Sequence, residues 1–294
     1  MSEFKQYEHS KQAIEWLKSK DQTRYEFKEM RGLNRATNGF RPSSINLVVA
    51  KSGFGKTNFL IDLACKQSRN GLPTLFVSAE MTPDTIMPRF VSNLSGYNIE
   101  RIIEQKNKYS GLEETEKQDL EKKLVLTIGN PPLKVIYEST IEPIIEEVIK
   151  ASEEGYVKHV FIDHFFELDT TMVDFGDKTT EKEKYIIDQL LITAKNYDIC
   201  FIIATQFRKG NTYGSDFGDK MLDDIQGASQ IRNKATNVLH LYETKKQNED
   251  NKKFQGFDVP NKITLETLKA RHGITGAKIE LNYLKQQFKF TEND

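Results

Sequence analysis

The sequence predicts an α/β protein: a mostly parallel sheet with helices on both faces and an antiparallel edge toward the C-terminus. Three observations carry that expectation. Compact apolar runs such as Ile45 to Ala50 and Ile199 to Thr205 alternate with longer segments of helical period. Strands that are apolar on both sides and separated by helices belong in a sheet covered on both faces. From Asn237 onward the pattern changes to four strand-like runs joined by shorter connections, which reads as antiparallel pairing at one edge.

Size and charge narrow the classes. With 294 residues, 37% of them hydrophobic, the chain can build a substantial core, so disorder is excluded as its main state. Lys and Arg total 42 against 43 Asp and Glu, a net charge of −1. No global positive field draws it to nucleic acid or anionic lipid, and any such binding must come from local loops. Only Cys65 and Cys200 are present, both in apolar runs, which excludes a disulfide framework or a cysteine zinc cluster. None of His9, His159, His164, His240 and His272 has zinc-ligand spacing; they read as surface or sheet residues. No apolar run approaches the roughly 20 residues of a membrane helix, and the N-terminus has no signal-peptide core. The expectation is a soluble cytoplasmic protein with no membrane partner.

The elements follow in order. Lys5 to Lys20 is amphipathic at helical spacing, and residues 1–30 read as an N-terminal helix and linker ahead of one domain, 31–294. Asp21 to Ser44 is polar, with Gly32, Gly39 and Pro42 breaking any long element. Ile45 to Ala50 is the first buried strand, Asn58 to Gln67 a helix, and Pro73 to Ala79 a strand. Thr82 to Leu94 opens with Thr-Pro and carries Asp84 in its first turn, which is a helix start. Ile99 to Leu124 is helical with a break near Ser110-Gly111, and Val125 to Ile128 reads as a short strand before Pro131-Pro132. Then come helix Ile141 to Ser152, strand Val157 to Asp163, helix Glu181 to Tyr197 and strand Ile199 to Thr205. Asn237 to Tyr242, Lys262 to Lys269, Lys278 to Tyr283 and Gln287 to Phe290 are the last strands, with the charged stretch 244–261 as an exposed connection.

The strongest chemical signal is Ala50-Lys51-Ser52-Gly53-Phe54-Gly55-Lys56-Thr57, between a strand and a helix. A phosphate-binding loop needs that context. The glycines let backbone N–H groups wrap phosphates, Lys56 reaches the β and γ phosphates, and Thr57 ligates Mg²⁺. Ser52, Gly53, Phe54, Gly55, Lys56 and Thr57 are therefore the candidate nucleotide contacts, although Ala50 stands where the pattern's first glycine belongs. Asp163 closes the apolar Val160-Phe161-Ile162 run, where a carboxylate holds Mg²⁺ through water. Glu80 ends the Pro73 to Ala79 strand and is a candidate to orient the attacking water. Gln206 ends another strand at the same edge and is placed to sense the γ-phosphate. A strand-ending Glu or Gln also serves as a plain structural cap. Lys269 and Arg271 lie two apart, so they project from one strand face; on the residues alone that is a solvated face.

The order of the phosphate loop, Ser78-Ala79-Glu80-Met81, Phe161-Ile162-Asp163-His164, Ala204-Thr205-Gln206-Phe207 and Lys269-Ala270-Arg271-His272-Gly273 resembles the C-terminal motor domain of DnaB-family replicative helicases, of the RecA-like ATPase class, from about Gly32 to Phe290. The resemblance implies an ATP-dependent DNA helicase that uses ATP and Mg²⁺, moves on single-stranded DNA and assembles as a homo-hexamer. By it Glu80 is the catalytic glutamate, Asp163 the Walker B aspartate and Gln206 the γ-phosphate sensor, while Lys269 and Arg271 reach a neighbour's nucleotide. Loops Asp169 to Thr180 and Phe207 to Ser229 would line a central channel, with Arg208, Lys209, Lys220 and Arg232 as phosphate contacts. A primase or helicase loader would be a further partner. Two departures stand out. Ile231 to Thr236 replaces the family's acidic residues after the second loop, and about 30 residues precede the motor where the family carries a helical collar, which suggests a phage or mobile-element form. The competing readings are a RecA-like recombinase or recombination mediator that forms filaments, and a nucleotide-controlled assembly switch.

Overall fold

The computed structural model describes residues 11, 23–106, 112–128, 133–207, 222, 225, 229–243 and 261–292. Nine strands make one sheet: β1 (Ser44–Ala50), β2 (Thr74–Ser78), β3 (Leu133–Tyr137), β4 (His159–Asp163), β5 (Cys200–Gln206), β6 (Asn237–Glu243), β7 (Asn261–Ala270), β8 (Lys278–Leu284) and β9 (Lys289–Glu292), in the order β3-β2-β4-β5-β1-β6-β7-β8-β9. The six strands from β3 to β6 pair in parallel, and β7, β8 and β9 continue antiparallel. The α/β class with an antiparallel C-terminal edge is thus the architecture observed.

Around the sheet lie α1 (Arg31–Thr37), α2 (Lys56–Arg69), α3 (Pro83–Ser95), α4 (Ile99–Lys106), α5 (Glu114–Ile128), α6 (Ile141–Glu153), α7 (Thr179–Tyr197) and α8 (Ser229–Lys234). Strands β1, β2 and β4 are buried at every position because successive side chains enter different cores. Val48 and Ala50 pack with Phe59 of α2, Phe76 and Phe161. Leu47 and Val49 pack with Ile144 of α6 and Leu190 of α7. A period of two along each strand therefore feeds both faces, which is what the continuous apolar runs require.

Two local readings change. Val125 to Ile128 is not a strand: α5 runs through Ile128, and the strand beside β2 is Leu133–Tyr137, beyond Pro131-Pro132 in the sequence. Short apolar runs suit either a helix end or a strand, so periodicity alone cannot separate them. The polar stretch before β1 contains α1. Its first-turn N–H groups on Gly32 and Leu33 donate to the Glu292 carboxylate at 2.6 and 2.9 Å, so the cap comes from the far end of the chain. The expected N-terminal helix lies outside the described residues apart from Lys11, while Tyr25, Phe27 and Met30 are already buried in the core.

A buried polar cluster ties the edge strand to the helices. Lys66 Nζ donates to Asp62 Oδ2 at 2.5 Å and to the Phe290 carbonyl at 2.8 Å. Asn93 Nδ2 donates to Asp62 Oδ1 at 2.9 Å and to the Phe288 carbonyl at 2.7 Å. The turn after β7 is seated just as closely: Ile274 N–H donates to the Ala36 carbonyl at 2.7 Å, and a Cβ on Gly273 would stand 2.0 Å from that oxygen.

Candidate functional site

The parallel strands all end at one edge of the sheet, and the loop from β1 to α2 crosses it. Gly53 and Gly55 adopt φ of 81° and 83°, a left-handed conformation that costs glycine little. A Cβ at Gly53 would meet nothing within 4 Å, so backbone geometry and not space demands the residue there. Gly55 then caps α2, and Lys56 is its first residue.

Lys56 is 8% exposed, with Nζ 3.4 Å from the carbonyls of Ala50 and Lys51. Burial lowers its pKa below the ordinary lysine range, opposed by the carboxylates of Asp163 and Glu80. Asp163 is fully buried, and among the described residues neither carboxylate oxygen has a well-aligned hydrogen-bond partner. Burial raises its carboxyl pKa, an effect that the Thr57 hydroxyl, His164 and Lys56 oppose and Glu80 reinforces. A buried carboxylate with free lone pairs beside a hydroxyl and an ammonium fits a hydrated divalent cation. Among the described residues no group of three His, Cys, Asp or Glu side chains makes a metal site, so a Mg²⁺ here would rely on Thr57, Asp163, water and phosphate.

Register brings the other candidates to the same edge. Ser78 of β2 lies opposite Asp163 of β4, and the N–H groups of Ala79 and Glu80 donate to the Asp163 carbonyl at 2.8 and 3.3 Å. Gln206 lies opposite Ala50, at the mouth of the phosphate loop. Lys56, Thr57, Glu80, Asp163 and Gln206 are therefore neighbours. His164 joins them with its ring Nε2 3.3 Å from Glu80 Oε2, a position to which no spacing in the sequence points. A cleft of about 530 Å³ continues from Ser52 to Gly55 toward Ile263, Tyr283 and Phe288. Its far wall comes from the C-terminal strands, which no local motif in the sequence announces.

Lys269 and Arg271 are elsewhere. Antiparallel pairing sets Lys269 opposite Val238 and Ala270 opposite Asn237, at the start of β6; since β6 is parallel to β1, this is the end of the sheet away from the phosphate loop. Lys269 Nζ donates to the carbonyls of Arg232 and Asn233 at 2.7 and 3.2 Å, and Arg271 donates to the Asn233 carbonyl at 2.5 Å. Both cations thus hold carbonyls at the C-terminal end of α8, where positive charge is favoured. Arg232 is on α8, whereas Arg208, Lys209 and Lys220 lie outside the described residues. No helix among the described residues is long and apolar enough to cross a membrane.

A mostly parallel sheet with a glycine loop leading from β1 into a helix, and a buried carboxylate two strands away on β4, defines a RecA-like α/β core. The sequence matches the family described as DnaB-like helicase C-terminal domain over residues 27–292. The chain belongs to that family. It is 25% identical over 261 residues to the replicative DNA helicase DnaB of Mycoplasma genitalium, covering 85% of this chain and 53% of that protein. The Mycoplasma pneumoniae replicative DNA helicase DnaB is 24% identical over 262 residues, with the same coverage. The chain spans about half the length of the curated relatives it matches. Two solved structures share its fold, each at TM-score 0.78 and 18% identity. One, described as a DnaB-like replicative helicase and its interactions with primase, covers 96% of this chain and 67% of its own; the other, described as an ATPase domain, covers 98% of each.

Proposed function

We propose that the chain is the ATP-driven motor of a replicative DNA helicase, six copies forming a ring that translocates on single-stranded DNA and hydrolyses ATP at the interfaces between copies. The observation that carries this reading is the separation of Lys269 and Arg271 from the phosphate loop at opposite ends of one sheet. The pair cannot complete its own chain's site, whereas a neighbour stacked head to tail would receive it. In this reading the N–H groups of residues 52–57 bind the phosphates and Lys56 offsets their charge. Glu80 orients the attacking water and accepts its proton. Gln206 contacts the γ-phosphate, and a neighbour's Arg271, supported by Lys269, offsets charge developing on the transferred group. Thr57, directly, and Asp163, through water, would hold Mg²⁺, which when bound neutralises phosphate charge. The cleft beside Phe54 and Tyr283 is large enough for the nucleoside. Backbone N–H groups of loops 169–180 and 207–229, with Arg208, Lys209 and Lys220 of the second loop and Arg232 of α8, would contact DNA phosphates. A primase or helicase loader is the partner proposed by kinship, with the cytoplasm as the setting.

The test is ATP hydrolysis with and without single-stranded DNA, beside unwinding of a forked duplex. Wild-type protein should show DNA-stimulated turnover and unwinding, and Glu80→Gln should bind ATP but turn it over roughly a hundredfold more slowly, the order expected for loss of a general base. Strand pairing on open filaments, with no unwinding, would replace this reading with the recombinase one.

A further inference from the structure

We propose that His164 is the positioning residue for Glu80, fixing through its Nε2–H the direction in which the carboxylate meets the attacking water. The proposal rests on the reading of Glu80 as the residue that orients that water. Three features of the site support it.

The first is the tautomer. His164 Nδ1 accepts the Phe166 backbone N–H at 3.3 Å, so in the neutral ring the hydrogen resides on Nε2. The second is how close that nitrogen comes to carboxylate oxygens. Nε2 lies 3.3 Å from Glu80 Oε2 and 3.7 Å from Glu167 Oε1, so two carboxylates flank one donor and Glu80 is the nearer. The third is the contrast in freedom. The His164 side chain is 9% exposed while those of Glu80 and Glu167 are 47% and 48% exposed. A buried ring held at Nδ1 is a fixed point, and a half-exposed glutamate without such a point samples several rotamers.

Backbone and side chain then act together. The Asp163 carbonyl accepts the Glu80 N–H at 3.3 Å, and the next residue, His164, meets the Glu80 side chain. Two consecutive residues of one strand end therefore clamp a glutamate that belongs to another. Proton acceptance from water is sensitive to small displacements of the acceptor, because the reacting atoms must sit within hydrogen-bond reach and alignment. His164 touches neither nucleotide nor water in this scheme and acts only through Glu80.

The experiment compares Glu80→Gln, His164→Phe and His164→Gln in the full chain, measuring kcat and ATP affinity for each. Phe keeps the ring and loses the donor, whereas Gln loses the ring and keeps an N–H donor near the Nε2 position. Expected are a slow Glu80→Gln, a kcat for His164→Phe about 10- to 100-fold below wild type with ATP affinity unchanged, and a His164→Gln that recovers most of the loss. Wild-type turnover by His164→Phe beside a slow Glu80→Gln overturns the positioning role and leaves Glu80's role standing. Wild-type turnover by Glu80→Gln overturns both. A His164→Gln as slow as His164→Phe, or ATP affinity lost in parallel with kcat, makes the ring a packing element and also overturns the proposal.

Discussion

Lys56 and Asp163 are perturbed by the same burial in opposite directions, the ammonium losing basicity and the carboxyl losing acidity, so each charge leans on the other and on what binds between them. Lys56→Ala removes the cation held inside the glycine loop, where the proposed function places the phosphates, without touching the apolar core. ATP turnover should fall to background while far-UV circular dichroism stays that of wild type; measurable turnover in this variant would move the site. His159 presents a different case. It sits fully buried on β4 with neither ring nitrogen hydrogen-bonded among the described residues, edge-on to Tyr25 at 4.4 Å between ring centres, and burial holds its pKa down to about 3. Unfolded histidine titrates near 6.5. Between those values the unfolded chain binds a proton that the folded chain refuses, so stability falls as pH drops from about 6.5 toward 3, by up to about 1.4 kcal/mol per pH unit. Urea unfolding at pH 7 and pH 5 should show this loss reduced in His159→Phe relative to wild type.

Helices and strands are legible where the signal is local. β1, β4 and β5 announce themselves as compact, mostly apolar runs, and the glycine loop as a motif between a strand and a helix, so both the central sheet and the edge proposed to bind nucleotide can be read from the residues alone. α1 cannot, because RGLNRAT has no apolar stripe and is capped by Glu292, a residue at the other end of the chain. β3 escapes notice because an edge strand is only partly buried, which leaves no continuous apolar run. The contact between His164 and Glu80 is likewise a product of strand order and not of spacing. A non-local device of the same kind joins α2, α3 and β9: Asp62 accepts from Lys66, from Asn93 and, at 3.2 Å, from the Phe290 N–H. Asp62→Ala would leave the Lys66 ammonium buried without its main counter-charge, at a cost of about 3–5 kcal/mol. Chemical denaturation should show it, and a loss under about 1 kcal/mol would mean that Lys66 finds other partners.

For the whole molecule the decisive property is the polarity of the sheet, with the residues proposed to bind nucleotide at one end of the strands and Lys269 and Arg271 at the other. On the shared-site reading Lys56→Ala has a dead pocket and a sound Arg271, while Arg271→Ala has the converse, and each alone should be nearly inactive. Mixed one to one at random in a ring, about a quarter of interfaces would pair a sound pocket with a sound arginine, so basal ATPase should partly return. No recovery in mixed rings verified by mass, or full activity of Arg271→Ala alone, would remove the shared site.

The seat of that arginine extends the consequence. Lys269 and Arg271 grip the last carbonyls of α8, and the turn that follows has no room for a methyl group at Gly273 against Ala36. On the shared-site reading, a Gly273→Ala copy would keep an intact pocket of its own and displace the residues it lends next door. Such an allele would then damage a site encoded by the other copy, so in a cell making both products it would behave genetically as a dominant lesion, although every protein molecule still carries the full set of residues proposed to bind nucleotide.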